Sequence, residues 1–79
     1  MLKLDEIASF VAVAEAGSIS EAARRLRLSK SVVSERLAEL ERSLGAKLIQ
    51  RTTRKLSLTE DGAAFERLMK KAAAPKHAH

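Results

Sequence analysis

From Leu4 to Ala16 the apolar residues Leu4, Ile7, Phe10, Val11 and Ala14 recur at helical spacing. Asp5 and Glu6 fall in the first turn of that segment, where the helix dipole favours acids. The pattern predicts a helix that serves as core and has no chemistry of its own. The next stretch, GSISEAARRLRLSKSVVSERLAELERSLG from Gly17 to Gly45, predicts two helices separated by a short turn. Ser18 with Glu21 three residues on makes a capping box, so a helix is expected from Ile19 to Leu26, with the Glu21 carboxylate reaching back to the cap. Ala22 and Ala23 are small enough to let a partner helix approach closely. Arg27 and Leu28 turn the chain, and Ser29 offers a second N-cap. From Lys30, the residues Val33, Leu37, Leu40 and Leu44 form one apolar stripe of a helix that Gly45 can end in the left-handed conformation.

After Gly45, two segments, Leu48 to Arg51 and Lys55 to Leu58, flank Thr52, Thr53 and Arg54. Leu56 and Leu58 alternate with Lys55 and Ser57, the period of a half-buried strand, so a two-stranded wing is expected. Thr59 then caps a fourth helix, with Glu60 and Asp61 in its first turn, which Pro75 stops. Its stripe of Ala64, Phe65, Leu68, Met69 and Ala72 is wider than one small domain needs. Phe65 and Leu68 are expected to pack on the first helix, while Met69 and the alanines face a second copy. Leu68, Met69 and Ala72 are the candidate dimerisation residues. The fold class expected is mainly α, a winged helix-turn-helix: three helices, a two-stranded β wing, then a fourth helix. The chain divides into a domain over 1–58, a helix with a face for a second copy over 59–74, and a disordered tail over 75–79.

Seventy-nine residues make one small domain with little surplus stability. The chain has no cysteine, which excludes disulfides and thiolate metal sites and leaves a cytoplasmic address as the default. No apolar run approaches the roughly 20 residues that span a bilayer, and the N-terminus does not read as a signal peptide. An enzyme is the weakest class, because both histidines lie in the tail and no glycine-rich phosphate loop or metal-ligand cluster is present. His77 and His79 form a His-x-His pair, but two ligands on an unanchored tail do not make a structural metal site. No cofactor is expected.

The net charge of +5 is unevenly distributed. Residues 1–23 hold Lys3 against Asp5, Glu6, Glu15 and Glu21, a net of −3. Residues 24–59 hold ten Lys and Arg against Glu35, Glu39 and Glu41, a net of +7; residues 60–79 carry +1. A run of Lys and Arg by itself does no more than solvate a face. Here it coincides with the helix-turn-helix pattern, and the combination points to nucleic acid. On the third helix, Lys30, Ser31, Ser34, Glu35 and Arg36 stand away from the apolar stripe and can pair with base edges or phosphates.

The span from Leu4 to about Leu68 resembles the N-terminal winged helix-turn-helix domain of LysR-type transcriptional regulators. The residues that carry the resemblance are FVAVAEAGSISEAARRL from Phe10 and LSKSVVSERLAELERSLGAKLIQRTTRKLSLTEDG from Leu28. It implies sequence-specific binding of double-stranded DNA, at an imperfect palindrome, by a homodimer that regulates transcription. It further implies that the helix from Ser29 enters the major groove, that the wing follows the backbone into the adjacent minor groove, and that the helix from Thr59 begins a dimerising linker. Matched residue by residue, Ser18 is a cap whose helix end faces a phosphate. Ser29, Lys30, Ser31, Ser34 and Arg36 match DNA-facing positions, and Arg51, Thr52, Arg54 and Lys55 match the wing. Glu35 stands where relatives often carry Arg: it is either a reader of cytosine or a salt-bridge partner. Lys30 and Ser31 also depart from the common pattern, so operator bases do not transfer from relatives. Members of the family continue into a large effector domain, and this chain is expected to carry no small-molecule sensor. The alternative function is a protein-interaction module that pairs with full-length regulators through the last helix.

Overall fold

The computed structural model describes residues 3–51 and 56–73, with only the backbone described at Arg51 and Ala73. Its elements run α1 (Leu4–Ala16), α2 (Ile19–Leu26), α3 (Lys30–Leu44), β1 (Ile49–Arg51), β2 (Leu56–Leu58) and α4 (Glu60–Ala73). The expected winged helix-turn-helix is therefore the fold.

Local chemistry explains most of the boundaries. Ser18 Oγ accepts from the Glu21 amide at 3.0 Å, and Ser29 Oγ from the Val32 amide at 3.2 Å, so each hydroxyl satisfies an amide that the first turn leaves free. Only half of the predicted capping box forms. The Glu21 carboxylate lies 3.5 Å from Arg24 Nη1 and 3.6 Å from Arg25 Nε, because a guanidinium one turn away offers a charged donor that the Ser18 amide does not. Gly17 and Gly45 end α1 and α3 at φ 72° and 66°, the left-handed region glycine enters at low cost. Arg27 does the same for α2 at φ 59° without that freedom, its amide and that of Leu28 donating to Arg24 and Ala23 carbonyls.

Helices α1, α2 and α3 pack on one another around Phe10, Val13, Ala22, Ala23, Val33, Leu37 and Leu40, with Leu48 and Ile49 closing the core from the wing side. Ala22 and Ala23 are buried, as their size predicts. The face of α1 that points inward differs from the apolar stripe. Glu6, Ser9, Phe10 and Val13 are the buried set, while Leu4 is 80% exposed. Leu4, Ile7 and Val11 lie on the neighbouring face, so the most apolar line along α1 is not the one α2 and α3 cover. Ser9 Oγ and Glu6 Oε1 are buried with no hydrogen-bond partner among the described residues.

The two strands are antiparallel, pairing Ile49 with Leu58, Gln50 with Ser57 and Arg51 with Leu56. The first is one residue shorter than the sequence predicts, starting at Ile49, while β2 covers Leu56–Leu58 and the predicted start at Lys55 lies outside the described residues. The start of α4 is clamped to the chain entering β1. The Thr59 amide donates to the Leu48 carbonyl at 3.0 Å, the Thr59 hydroxyl donates to the Lys47 carbonyl, and Thr59 Oγ1 caps α4 by accepting from the Gly62 amide at 3.0 Å. Gly62 is buried there, and a Cβ on it would stand 2.0 Å from the Leu48 carbonyl oxygen. Further along α4, Phe65 meets Phe10 as expected. Leu68 does not pack on α1. It is 60% exposed and borders a depression with Leu44, Ala46 and Leu48, because the roughly 100° step between neighbouring helical residues hands the α1 side to Met69.

Candidate nucleic-acid interface

Helix α3 buries Val33, Leu37 and Leu40 and so turns its other side to solvent. On that side Lys30, Ser31, Ser34 and Glu35 line one shallow, open depression at the start of the helix. Four of the five α3 residues expected to face DNA are thus brought together, with Ser29 capping the same helix end. Arg36 is set apart. It follows Glu35 round the helix by another 100° or so, toward the flank of Leu40, and is half-buried outside the depression. Ser18 caps α2 at the Gly17 turn, part-buried. In the wing the backbone of Arg51 is in β1, whereas Thr52, Arg54 and Lys55 lie outside the described residues, as do His77 and His79.

Several cations elsewhere on the described surface are held in ion pairs. Arg24 and Arg25 are paired to Glu21, Arg42 to Glu39, Lys47 loosely to Glu41 at 3.9 Å, and Lys70 to Glu66. Among the described residues Lys30, Glu35 and Arg36 have no such partner. Glu35 is therefore not held as an internal salt-bridge partner there, one of the two roles open to it from sequence. An exposed ammonium, an unpaired carboxylate and two hydroxyls on one helix face form a mixed donor and acceptor surface suited to base edges and phosphates.

One contributor escapes the sequence patterns. Glu41 Oε2 accepts from the Leu48 and Ile49 amides at 2.8 and 3.0 Å, tying α3 to the root of the wing. Neither periodicity nor capping rules reveal a carboxylate that acts on amides seven and eight residues later.

The dimerisation candidates divide as well. Met69 and Ala72 line an apolar groove with Leu4, Ile7, Ala8, Val11 and Ala12 of α1, rimmed by Glu15. Leu68 lies outside it, on the other side of α4.

No helix among the described residues is long and apolar enough to cross a membrane. The family model for bacterial regulatory helix-turn-helix proteins of the lysR family matches residues 4–63. An HTH-type transcriptional repressor of Pseudomonas aeruginosa is 52% identical over 65 residues, covering 82% of this chain and 20% of the repressor. The HTH-type transcriptional regulator CrgA of Neisseria meningitidis is 49% identical over 63 residues, 80% of this chain and 21% of CrgA. The chain thus spans about a fifth of the length of these relatives. Among solved structures, the DNA-binding domain of BenM in complex with catB site 1 DNA superposes with a TM-score of 0.86 at 31% identity, over 90% of this chain and 79% of that one.

Proposed function

The chain belongs to the lysR family of bacterial regulatory helix-turn-helix proteins, and on that premise we propose that it binds double-stranded DNA sequence-specifically to regulate transcription in the cytoplasm. Helix α3 lies in the major groove and presents Lys30, Ser31, Ser34 and Glu35 to base edges. Ser18 and Ser29 place helix N-termini against phosphates. Arg51, Thr52, Arg54 and Lys55 follow the backbone toward the minor groove, and Arg36 makes a flanking phosphate contact. The observation that carries this reading is the polar depression on α3, whose four lining residues face solvent together. The DNA-bound BenM domain supports it by its match in fold. A regulator of this kind binds and positions; it is not an enzyme and needs no cofactor.

Residues 1–58 form the reading unit and 59–74 the linker helix. Two copies pair through α4, in line with the apolar groove between Met69, Ala72 and α1. With 14 residues, α4 is about 21 Å long, or two heptads, and its stripe is rich in alanine. The dimer is accordingly weak in free solution, micromolar or poorer, and a palindromic site strengthens it by bringing two copies together. Met69→Lys weakens cooperative occupancy without unfolding the domain.

The test is a gel-shift series on a duplex library at two or more salt concentrations. Each neutralised phosphate adds about −0.9 to the slope of log affinity against log salt, so a slope steeper than roughly −3 with clear sequence preference is expected. Salt-insensitive binding, or equal affinity for all duplexes, overturns the reading.

A further inference from the structure

We infer that the cleft between α3 and β1 is a second DNA subsite, which seats one sugar-phosphate strand with Lys47 and Gln50 as its anchors. This rests on the reading that α3 occupies the major groove. The cleft is walled by Ser34 and Ala38 on the helix and by Lys47 and Gln50 on the chain leading through β1, with Glu41 at its floor. Ser34 also lines the depression with Lys30, Ser31 and Glu35, so the two hollows share a wall and form one track from the start of α3 to the wing.

The geometry of a duplex makes that track meaningful. A helix in the roughly 12 Å wide major groove is bordered on each side by a sugar-phosphate strand. The element that flanks α3 across the cleft is β1, so the bordering strand on that side must lie between the two. The rim carries the groups such a strand needs. The Lys47 side chain is 73% exposed, and its 3.9 Å contact with Glu41 is too long to hold it. The Gln50 amide is exposed with no side-chain partner among the described residues, and its two N–H groups can donate to phosphate oxygens.

A carboxylate on the floor would repel phosphate if it were bare. Glu41 is not bare: Oε2 accepts from the Leu48 and Ile49 backbone amides. Its charge is offset by those donors, and the same bonds set the distance between α3 and β1. Glu41 is a positioning residue, whereas Lys47 and Gln50 make the contact.

The experiment measures affinity of the whole chain for its best duplex from the library, with Lys47→Met, Gln50→Ala and, as a charge control on α3 outside the cleft, Arg42→Met. Lys47→Met is expected to weaken binding about three- to tenfold on every duplex and to reduce the steepness of the salt slope by about 0.9, one phosphate. Gln50→Ala should weaken binding severalfold with the base preference intact. Arg42→Met should leave affinity and slope near wild type. Replacing single phosphates by neutral methylphosphonates should reveal a position that costs the wild type affinity and costs Lys47→Met nothing. Wild-type affinity and slope in Lys47→Met and Gln50→Ala, with the wild type binding normally, overturn the subsite and leave α3 as reader. An equal slope loss in Arg42→Met shows general charge attraction and also overturns it. Failure of the wild type to bind any duplex removes both readings.

Discussion

The rings of Phe10 and Phe65 meet edge to face, with centroids 5.4 Å apart and planes at 63°. Phe10 is fully buried at the centre of the three-helix core and Phe65 is half-buried on α4, so this contact joins the linker helix to the reading unit. Phe65→Ala removes the pair and part of the burial around it, an expected loss of about 2 kcal/mol. In a domain of this size, thermal melting followed by circular dichroism should show a drop of about 10 °C.

Gly62 is required by proximity rather than by backbone conformation. Its missing Cβ leaves room for the Leu48 carbonyl oxygen, which a methyl group would meet at 2.0 Å. Gly62→Ala therefore destabilises by about 1–3 kcal/mol, although alanine is the better helix former by about 1 kcal/mol. Denaturant midpoints should fall, while alanine at an exposed mid-helix α4 site such as Arg67 should move them little.

Ser9 is fully buried, and its hydroxyl has no partner among the described residues. A buried donor left unmatched costs about 1–3 kcal/mol, and alanine removes it while opening almost no cavity. Ser9→Ala should raise the melting temperature by several degrees; a decrease would show that the hydroxyl is satisfied in solution.

Arg27 holds φ at 59°, a conformation that costs a residue with a Cβ about 1 kcal/mol. Arg27→Gly is expected to stabilise the turn by up to about 1 kcal/mol. Arg27→Ala, which removes the same charge but keeps the strain, should give no gain. Chemical denaturation of both variants side by side checks the difference.

Glu35 projects from α3 beside Lys30 and Ser34 with no cation partner among the described residues. A carboxylate that enters a groove lined by phosphates needs a donor, and a cytosine amino group supplies one. Glu35→Gln is expected to relax discrimination at one base pair by about 1–3 kcal/mol. Duplex selection with wild type and variant measures this, and an unchanged base preference excludes the reading role.

Helix starts and stops were legible in the sequence because their causes are local. Ser18, Ser29 and Thr59 cap amides three residues ahead, and Gly45 ends α3 through its own backbone freedom. The same locality explains why Lys30, Ser31, Ser34 and Glu35 were legible as one face: once α3 exists, its spacing places them together opposite Val33 and Leu37. Arg36 tracked less well, since it falls on the boundary between exposed and buried flanks. What only tertiary structure decided are relations between elements. Glu6 and Ser9 are buried while Leu4 is exposed, because the positions of α2 and α3 choose the covered face of α1, and apolarity along one helix does not encode them. The exchange of sides between Leu68 and Met69 follows from how Thr59 and Gly62 clamp α4 against Leu48. Glu41 and Gly62 look like an ordinary surface acid and a weak helix residue until the chain brings them to the root of the wing. Capping and periodicity act within about four residues and are written in neighbours. Packing joins residues distant in sequence, and the approach of one backbone to another sets its terms.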